Sequence, residues 1–321
     1  MINKIKNLID NSKNIAIFFH VNPDGDAIGS AKALKHALNG LNKKAVIFSQ
    51  DKIEELSFLD CDDFCLNITN EKFDLGFVLD CGEIKRIGTM EAVLKNCKNV
   101  VNIDHHLNNE NFTEYKIVDT KASSTCEIIY YFLKGLNFEF DEKIKIALYL
   151  GLATDSGCFM YNINKNIYSV AKNLSEGIES KIEQINYELF REKSFGETKL
   201  LGVAITKLES YYSGKLAITD ILQKDLKEFD VSLNYTPSIV FLLSGLKNFD
   251  VICVICEEKF GVFKAAFRSN KVDVCALAQK FGGGGHKFAS GCKIYGNKNT
   301  VKKKILEKVQ EYFDERNNKC L

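Results

Sequence analysis

The sequence contains no tryptophan, and its 43 basic residues include only four arginines, Arg86, Arg191, Arg268 and Arg316. Without Trp, and with the Tyr and Phe of the second half falling in apolar patterns that read as core, there is no aromatic platform of the kind that stacks a long single strand. The scarcity of Arg makes each one conspicuous, because its planar guanidinium suits bidentate phosphate or carboxylate recognition. No apolar run approaches the roughly 18 to 20 residues of a membrane span, and the N-terminal MINKIKNLIDNSKN lacks a continuous signal-peptide core. Both argue for a cytoplasmic protein with no membrane partner. No second CxxC or nearby His completes a zinc set around Cys253 and Cys256, and strand spacing points those two to opposite faces. The eleven cysteines are odd in number and scattered through apolar segments such as VICVIC, so they read as reduced core thiols rather than a disulfide framework.

At 321 residues, 45% of them hydrophobic, the chain is long enough for two domains. Its net charge of +1 hides an asymmetry: residues 1–185 carry 21 Lys and Arg against 26 Asp and Glu, and residues 186–321 carry 22 against 16. The acidic half can hold cations and the basic half an anion, although sums alone do not separate this from chance. IAIFF (15–19), KKAVIF (43–48), DLGFVLD (74–80) and VVNID (100–104) read as strands, with 3.6-residue periodicity between them in segments such as AKALKHALNGL. That alternation predicts an α/β domain with a parallel sheet and helices on both faces over 1–185, ligands gathering outside the carboxyl ends of the strands. A polar helical linker is expected over 186–204. KLAITDI, VICVICEE and GVFKAAFRS then read as strands of a smaller mixed-sheet α/β domain over 205–321, closed by an amphipathic helix.

Each strand-like run of the first half ends on groups that bind metals. HVNPDGD places His20, Asp24 and Asp26 behind IAIFF; Asp80 ends FVLD; Asp104, His105 and His106 end VVNI; Asp155 follows the apolar IALYLGLAT. Singly these are turn or cap residues, and Asp24-Gly25 is a common turn step. Together they form a cluster whose carboxylates would repel without a counter-ion. Two divalent cations resolve that conflict, and a mixed carboxylate and imidazole set fits Mn²⁺ best, with Mg²⁺ or Co²⁺ as alternatives.

In the second half, FGGGGHKFASG lets backbone N–H groups of Gly283, Gly284 and Gly285 approach an anion, with His286 and Lys287 as further donors. A mobile loop or a helix C-cap is the alternative. Arg268 ends the strand KAAF just ahead of this stretch, as a phosphate ligand or a surface ion pair.

HxxxDxD at 20–26, the strand-end Asp80, the DHH triplet at 104–106 and Asp155 in ATDSG resemble the motifs of the DHH phosphoesterases, and RSN followed by GGGGHKFASG resembles the associated DHHA1 substrate domain. The resemblance spans nearly the whole chain and is nearest the nanoRNase and pAp phosphatase group. It implies a manganese-dependent hydrolase that degrades short oligoribonucleotides to 5′-mononucleotides or removes the 3′-phosphate of 3′-phosphoadenosine 5′-phosphate. His20 and Asp24 would hold one Mn²⁺ and Asp26 and His105 the other, with Asp80 and Asp155 shared or completing them. His106 would face the scissile phosphate, Asp104 would orient the imidazoles, and Arg268, His286 and the glycine loop would grip phosphate. A phosphodiesterase for linear or cyclic dinucleotides shares every motif, and a non-catalytic nucleotide-binding module is the reading from another class. Physiological substrate, polarity of attack and oligomeric state, homodimer included, stay open.

Overall fold

The computed structural model describes residues 1–53, 56–60 and 63–319, with the side chains of His286 and of residues 317–319 outside that description. The chain divides into two compact units, Met1–Glu192 and Lys193–Leu321.

The first unit is built on β1 (Asn14–Phe18), β2 (Lys44–Phe48), β3 (Phe64–Cys65), β4 (Phe73–Leu79), β5 (Cys97–Asp104) and β6 (Tyr115–Val118). They form one parallel sheet in the order β3-β2-β1-β4-β5-β6. A strand sends successive side chains to opposite faces, so Ile15 and Ile17 of β1 join a core with Leu34 and Leu38 of the helix Gly25–Gly40, while Ala16 and Phe18 join one with Val93 and Leu94. Both faces are therefore covered, as the continuous apolar runs require. The strand order reverses between β1 and β4, which makes the gap between their carboxyl ends the natural binding crevice of such a sheet.

The second unit carries β7 (Glu209–Tyr211), β8 (Leu216–Ile221), β9 (Val251–Lys259), β10 (Val262–Arg268), β11 (Gly284–His286) and β12 (Ala289–Tyr295), ordered β11-β12-β10-β9-β8-β7. Only β8 and β9 run parallel, so the sheet is mixed. On β9, Cys253 and Ile255 pack with Ile305 and Val309 of the closing helix Lys298–Lys319. Ile252, Val254 and Cys256 face the other way, against Leu200 and Val240. The CxxC thiols thus lie on opposite faces, and the nine described cysteines are free.

The stretch 186–204, expected as a linker, holds the ends of two helices. Glu179–Phe190 belongs to the first unit and anchors there through Ile185. Phe195–Thr206 belongs to the second through Leu200 and Ala204. Ser194 starts the latter with a reciprocal capping box to Glu197, which satisfies amides that would otherwise need the preceding turn, and so interrupts the helix at 191–194.

Candidate metal centre and anion pocket

β1, β4 and β5 end at one edge of the first sheet, with Phe18 paired to Val78 and Leu79 to Ile103. The residues at or just beyond their ends, His20, Asp80, Asp104, His105 and His106, are therefore brought together. Asp26 enters from the first turn of Gly25–Gly40, and Asp155 from the last residue of Glu142–Asp155. Those two helices cross closely. A Cβ at Gly29 would lie 2.2 Å from the Ala147 carbonyl oxygen, and one at Gly151 would lie 2.5 Å from Asp26 Oδ1. Only glycine permits the approach that sets Asp26 beside Asp155. Asp24 does cap the helix, accepting from the amides of Asp26 and Ala27 at 3.1 Å, and its carboxylate also faces His20.

The donor atoms fall into two groups that meet at Asp80. Its Oδ2 lies 3.4 Å from His20 Nε2, which is 3.9 Å from Asp24 Oδ1. Its Oδ1 lies 3.7 Å from His105 Nε2 and 3.6 Å from His106 Nδ1. His105 Nε2 is in turn 3.1 Å from Asp155 Oδ2 and 4.0 Å from Asp26 Oδ2. His20, Asp24 and Asp80 offer ligand atoms all within 4.8 Å of one another, and so do Asp26, His105 and Asp155, and Asp80, His105 and His106. Asp80 itself has a φ of 52°, a left-handed conformation that aspartate, like asparagine, adopts more readily than most side chains.

The electrostatics describe a site short of positive charge. Burial pushes Asp26 upward, reinforced by Asp80 and Asp155, and burial raises Asp155 to about 6. Burial opposes a charged His20 and a charged His105, yet hydrogen bonding to Asp80 and to Asp155, with the charges of the surrounding carboxylates, raises them to about 9 and about 11. Burial would raise Asp80, but the bond from His20 and the neighbouring imidazoles hold it well below the usual carboxylate range.

The imidazoles are held in defined orientations. His20 Nδ1 donates to the Val21 carbonyl at 3.0 Å and His105 Nδ1 to that of Ala122 at 3.4 Å, so that Nε2 of each ring faces the carboxylates. His106 Nδ1 donates to Asp104 Oδ1 at 2.7 Å, and Asn109 Nδ2 donates to Asp104 Oδ2 at 2.6 Å. Several supporting groups were not apparent from the sequence. The amides of Thr125 and Cys126 donate to the two oxygens of Asp26 at 2.6 and 2.8 Å, and Thr125 Oγ1 donates to Asp80 at 3.0 Å. The spacing SSTCE, a helix-start pattern with Ser124 accepting from the Glu127 amide at 3.1 Å, was the available signal. For Asn109 there was none.

In the second unit, Arg268, Gly284 and Gly285 line a cavity of about 230 Å³ together with Lys264, Ala266 and Val254. Arg268 Nη1 donates to the Phe267 carbonyl at 3.0 Å. Gly283 is placed otherwise: a Cβ there would lie 2.2 Å from the Gly291 carbonyl oxygen. Only the second half of the glycine run is a paired strand, Gly284 to Gly291 and Gly285 to Ser290, while Gly282 (φ 73°) and Gly283 cap the helix Val274–Gln279, their amides donating to the Gln279 and Ala278 carbonyls at 3.0 Å. His286 pairs with Ala289 through its backbone, and its side chain lies outside the described residues.

A parallel sheet with carboxylates and imidazoles at its switch point, followed by a mixed sheet with a cation-lined pocket, defines a two-unit phosphoesterase. Residues 14–154 match the DHH family, N-terminal domain, and residues 215–315 match the DHHA1 domain; the chain belongs to the DHH/DHHA1 phosphoesterase family. It is 29% identical over 304 residues to the bifunctional oligoribonuclease and PAP phosphatase NrnA of Thermus thermophilus, covering 92% of this chain and 89% of that one. To the Bacillus subtilis protein of the same name it is 28% identical, with 88% and 89% covered. A crystal structure of an exopolyphosphatase-related protein from Bacteroides fragilis superposes with a TM-score of 0.88 at 26% identity, covering 97% and 96% of the two chains.

Proposed function

We propose that this chain is a two-metal phosphoester hydrolase that degrades short oligoribonucleotides to 5′-mononucleotides and removes the 3′-phosphate of 3′-phosphoadenosine 5′-phosphate. The observation that carries the reading is Asp80, whose two oxygens face two separate sets of ligand atoms. His20 and Asp24 would hold one ion, Asp26, His105 and Asp155 the other, with Asp80 between them. The donor set fits Mn²⁺, being hard oxygens with imidazole nitrogens and deficient in positive charge. A pair of divalent ions, when bound, supplies Lewis-acid polarisation of the phosphoryl group and activation of the attacking water. The chain's own residues do the rest. Asp104, locked by Asn109, fixes the His106 ring by its Nδ1–H and leaves Nε2 as the nitrogen that would face the scissile phosphate. The amides of Thr125 and Cys126 keep the Asp26 carboxylate oriented. Arg268 would bind a substrate phosphate by a charge-assisted contact. Among the described residues no helix is long and apolar enough to cross a membrane, and with its free thiols we place the protein in the cytoplasm.

The test is purified protein with Mn²⁺ against di- to pentaribonucleotides, a 20-mer, 3′-phosphoadenosine 5′-phosphate and cyclic dinucleotides, products resolved chromatographically. Chelator-sensitive release of mononucleotide from the short substrates is expected; full activity in metal-depleted protein would sink the proposal.

A further inference from the structure

Glu127 is a buried carboxylate, 2% exposed, that the function proposed above does not use. It lies in the first turn of the helix Thr125–Gly135, and Ser124 already caps that helix, so the cap does not call for a buried acid. Its Oε2 accepts from the Ser123 amide, from Ser123 Oγ and from Asn164 Nδ2, each at 2.7 Å. None of the three donors is charged. A carboxylate taken out of water is costly and is kept only where its hydrogen bonds are made. Asn164 ties these bonds to a distant stretch of chain. Its Nδ2 also donates to the Lys121 carbonyl at 3.0 Å, and its Oδ1 accepts from the amides of Asn166 and Ile167 at 2.8 and 3.0 Å, where the helix Ile167–Ser175 begins. Glu127 and Asn164 thus fasten segment 121–127 to segment 164–167.

Both segments lead to the same three metal-facing groups. In the first, the Ala122 carbonyl meets His105 Nδ1, and the amides of Thr125 and Cys126 hold the two oxygens of Asp26. The second ends the connection that leaves Asp155. That connection starts with three consecutive left-handed residues, Gly157, Cys158 and Phe159, at φ 54°, 55° and 64°. Cysteine and phenylalanine disfavour this backbone, which persists only where the surrounding structure imposes it. Asn162 Nδ2 bonds the Asp155 carbonyl at 3.1 Å within the connection, and Asn164 anchors its far end. His20 and Asp24 are fixed by other means, the one by the Val21 carbonyl and the other by the helix it caps. We propose that Glu127, through Asn164, is a positioning residue that holds Asp26, His105 and Asp155 in register for one divalent ion and leaves the His20 and Asp24 site independent of it; the assignment rests on the two-ion reading above.

The test measures Mn²⁺ affinity by calorimetric titration of the full chain in two backgrounds, Asp24→Ala, which keeps the Asp26, His105 and Asp155 set, and Asp155→Ala, which cripples that set and keeps His20 and Asp24. Adding Glu127→Ala should weaken Mn²⁺ binding in the first background by about 10- to 100-fold, the range for losing a group that orients metal ligands, and should leave the second unchanged. Asn164→Ala, which removes the clamp from its other side, should give the same pattern. Glu127→Gln, whose side-chain carbonyl can accept the same three bonds, should recover most of the affinity. Equal weakening in both backgrounds, which a merely structural residue would produce, or no weakening in the first, overturns the positioning role and leaves the two-ion reading standing. Absence of Mn²⁺ binding in both parent backgrounds overturns both.

Discussion

Asp80 is where backbone and chemistry meet. Its amide donates to the Ile103 carbonyl at 3.0 Å, and the left-handed turn that follows aims both carboxylate oxygens into the site. Asparagine tolerates that conformation, so Asp80→Asn should fold normally while losing the charge both ion sites share. We expect a fall in kcat of at least on the order of 10² to 10³, with reduced metal content by elemental analysis; normal turnover with two ions bound would show that Asp80 does not bridge. The imidazoles give a second expectation. In the metal-free cluster His20 at about 9 and His105 at about 11 are protonated at pH 7, and an imidazolium cannot ligate. Binding Mn²⁺ must therefore expel protons, and affinity must rise with pH from neutrality toward about 9. Calorimetric titration in buffers of different ionisation heat reads the proton count directly; an affinity flat from pH 6.5 to 8.5 would contradict this picture.

The elements that position these residues were legible to different degrees. β1, β2, β4 and β5 are buried on both faces and so appear as continuous apolar runs, and with them came His20, Asp80, Asp104, His105 and His106 at their ends. β3, two residues long, and β6, YKIV half-buried at the sheet edge, leave no run to see. The glycine stretch read as a loop because glycine disfavours strands. Its pairing instead exploits the missing side chains: Gly283 and Gly285 sit against carbonyls of β12 that would exclude a Cβ. The crossing of Gly25–Gly40 with Glu142–Asp155 was hidden for the same reason, since a sequence does not say which glycines face each other. Gly151→Ala would drive a methyl group into Cys126 Sγ and Asp26 Oδ1. We expect a loss of about 1–3 kcal/mol in stability, the usual range for overpacking, together with a drop in metal affinity because Asp26 is displaced. Denaturant unfolding and Mn²⁺ titration of the same variant test both; unchanged metal binding would mean that Asp26 moves freely and does not ligate.

At the scale of the whole molecule, the charge asymmetry follows the chemistry assigned to each half: the acidic unit carries the ligand cluster, and the basic one carries Lys264 and Arg268. Each unit also closes its own core, so the chain is two folded bodies in series, and the division between Glu192 and Lys193 falls within the 186–204 stretch expected as a linker, which is two helix ends rather than one polar helix. The Ser194 capping box starts Phe195–Thr206 afresh, and the intervening 191–194 stretch contains two basic residues, Arg191 and Lys193, with Arg191, Glu192 and Ser194 exposed. A protease that cuts after basic residues is thereby offered one accessible seam between two resistant bodies. Brief trypsin digestion should accumulate two fragments meeting at 191–193 before either half is degraded, and the N-terminal fragment alone should gain resistance when Mn²⁺ is added, since a ligand that binds only the folded form withholds it from the protease.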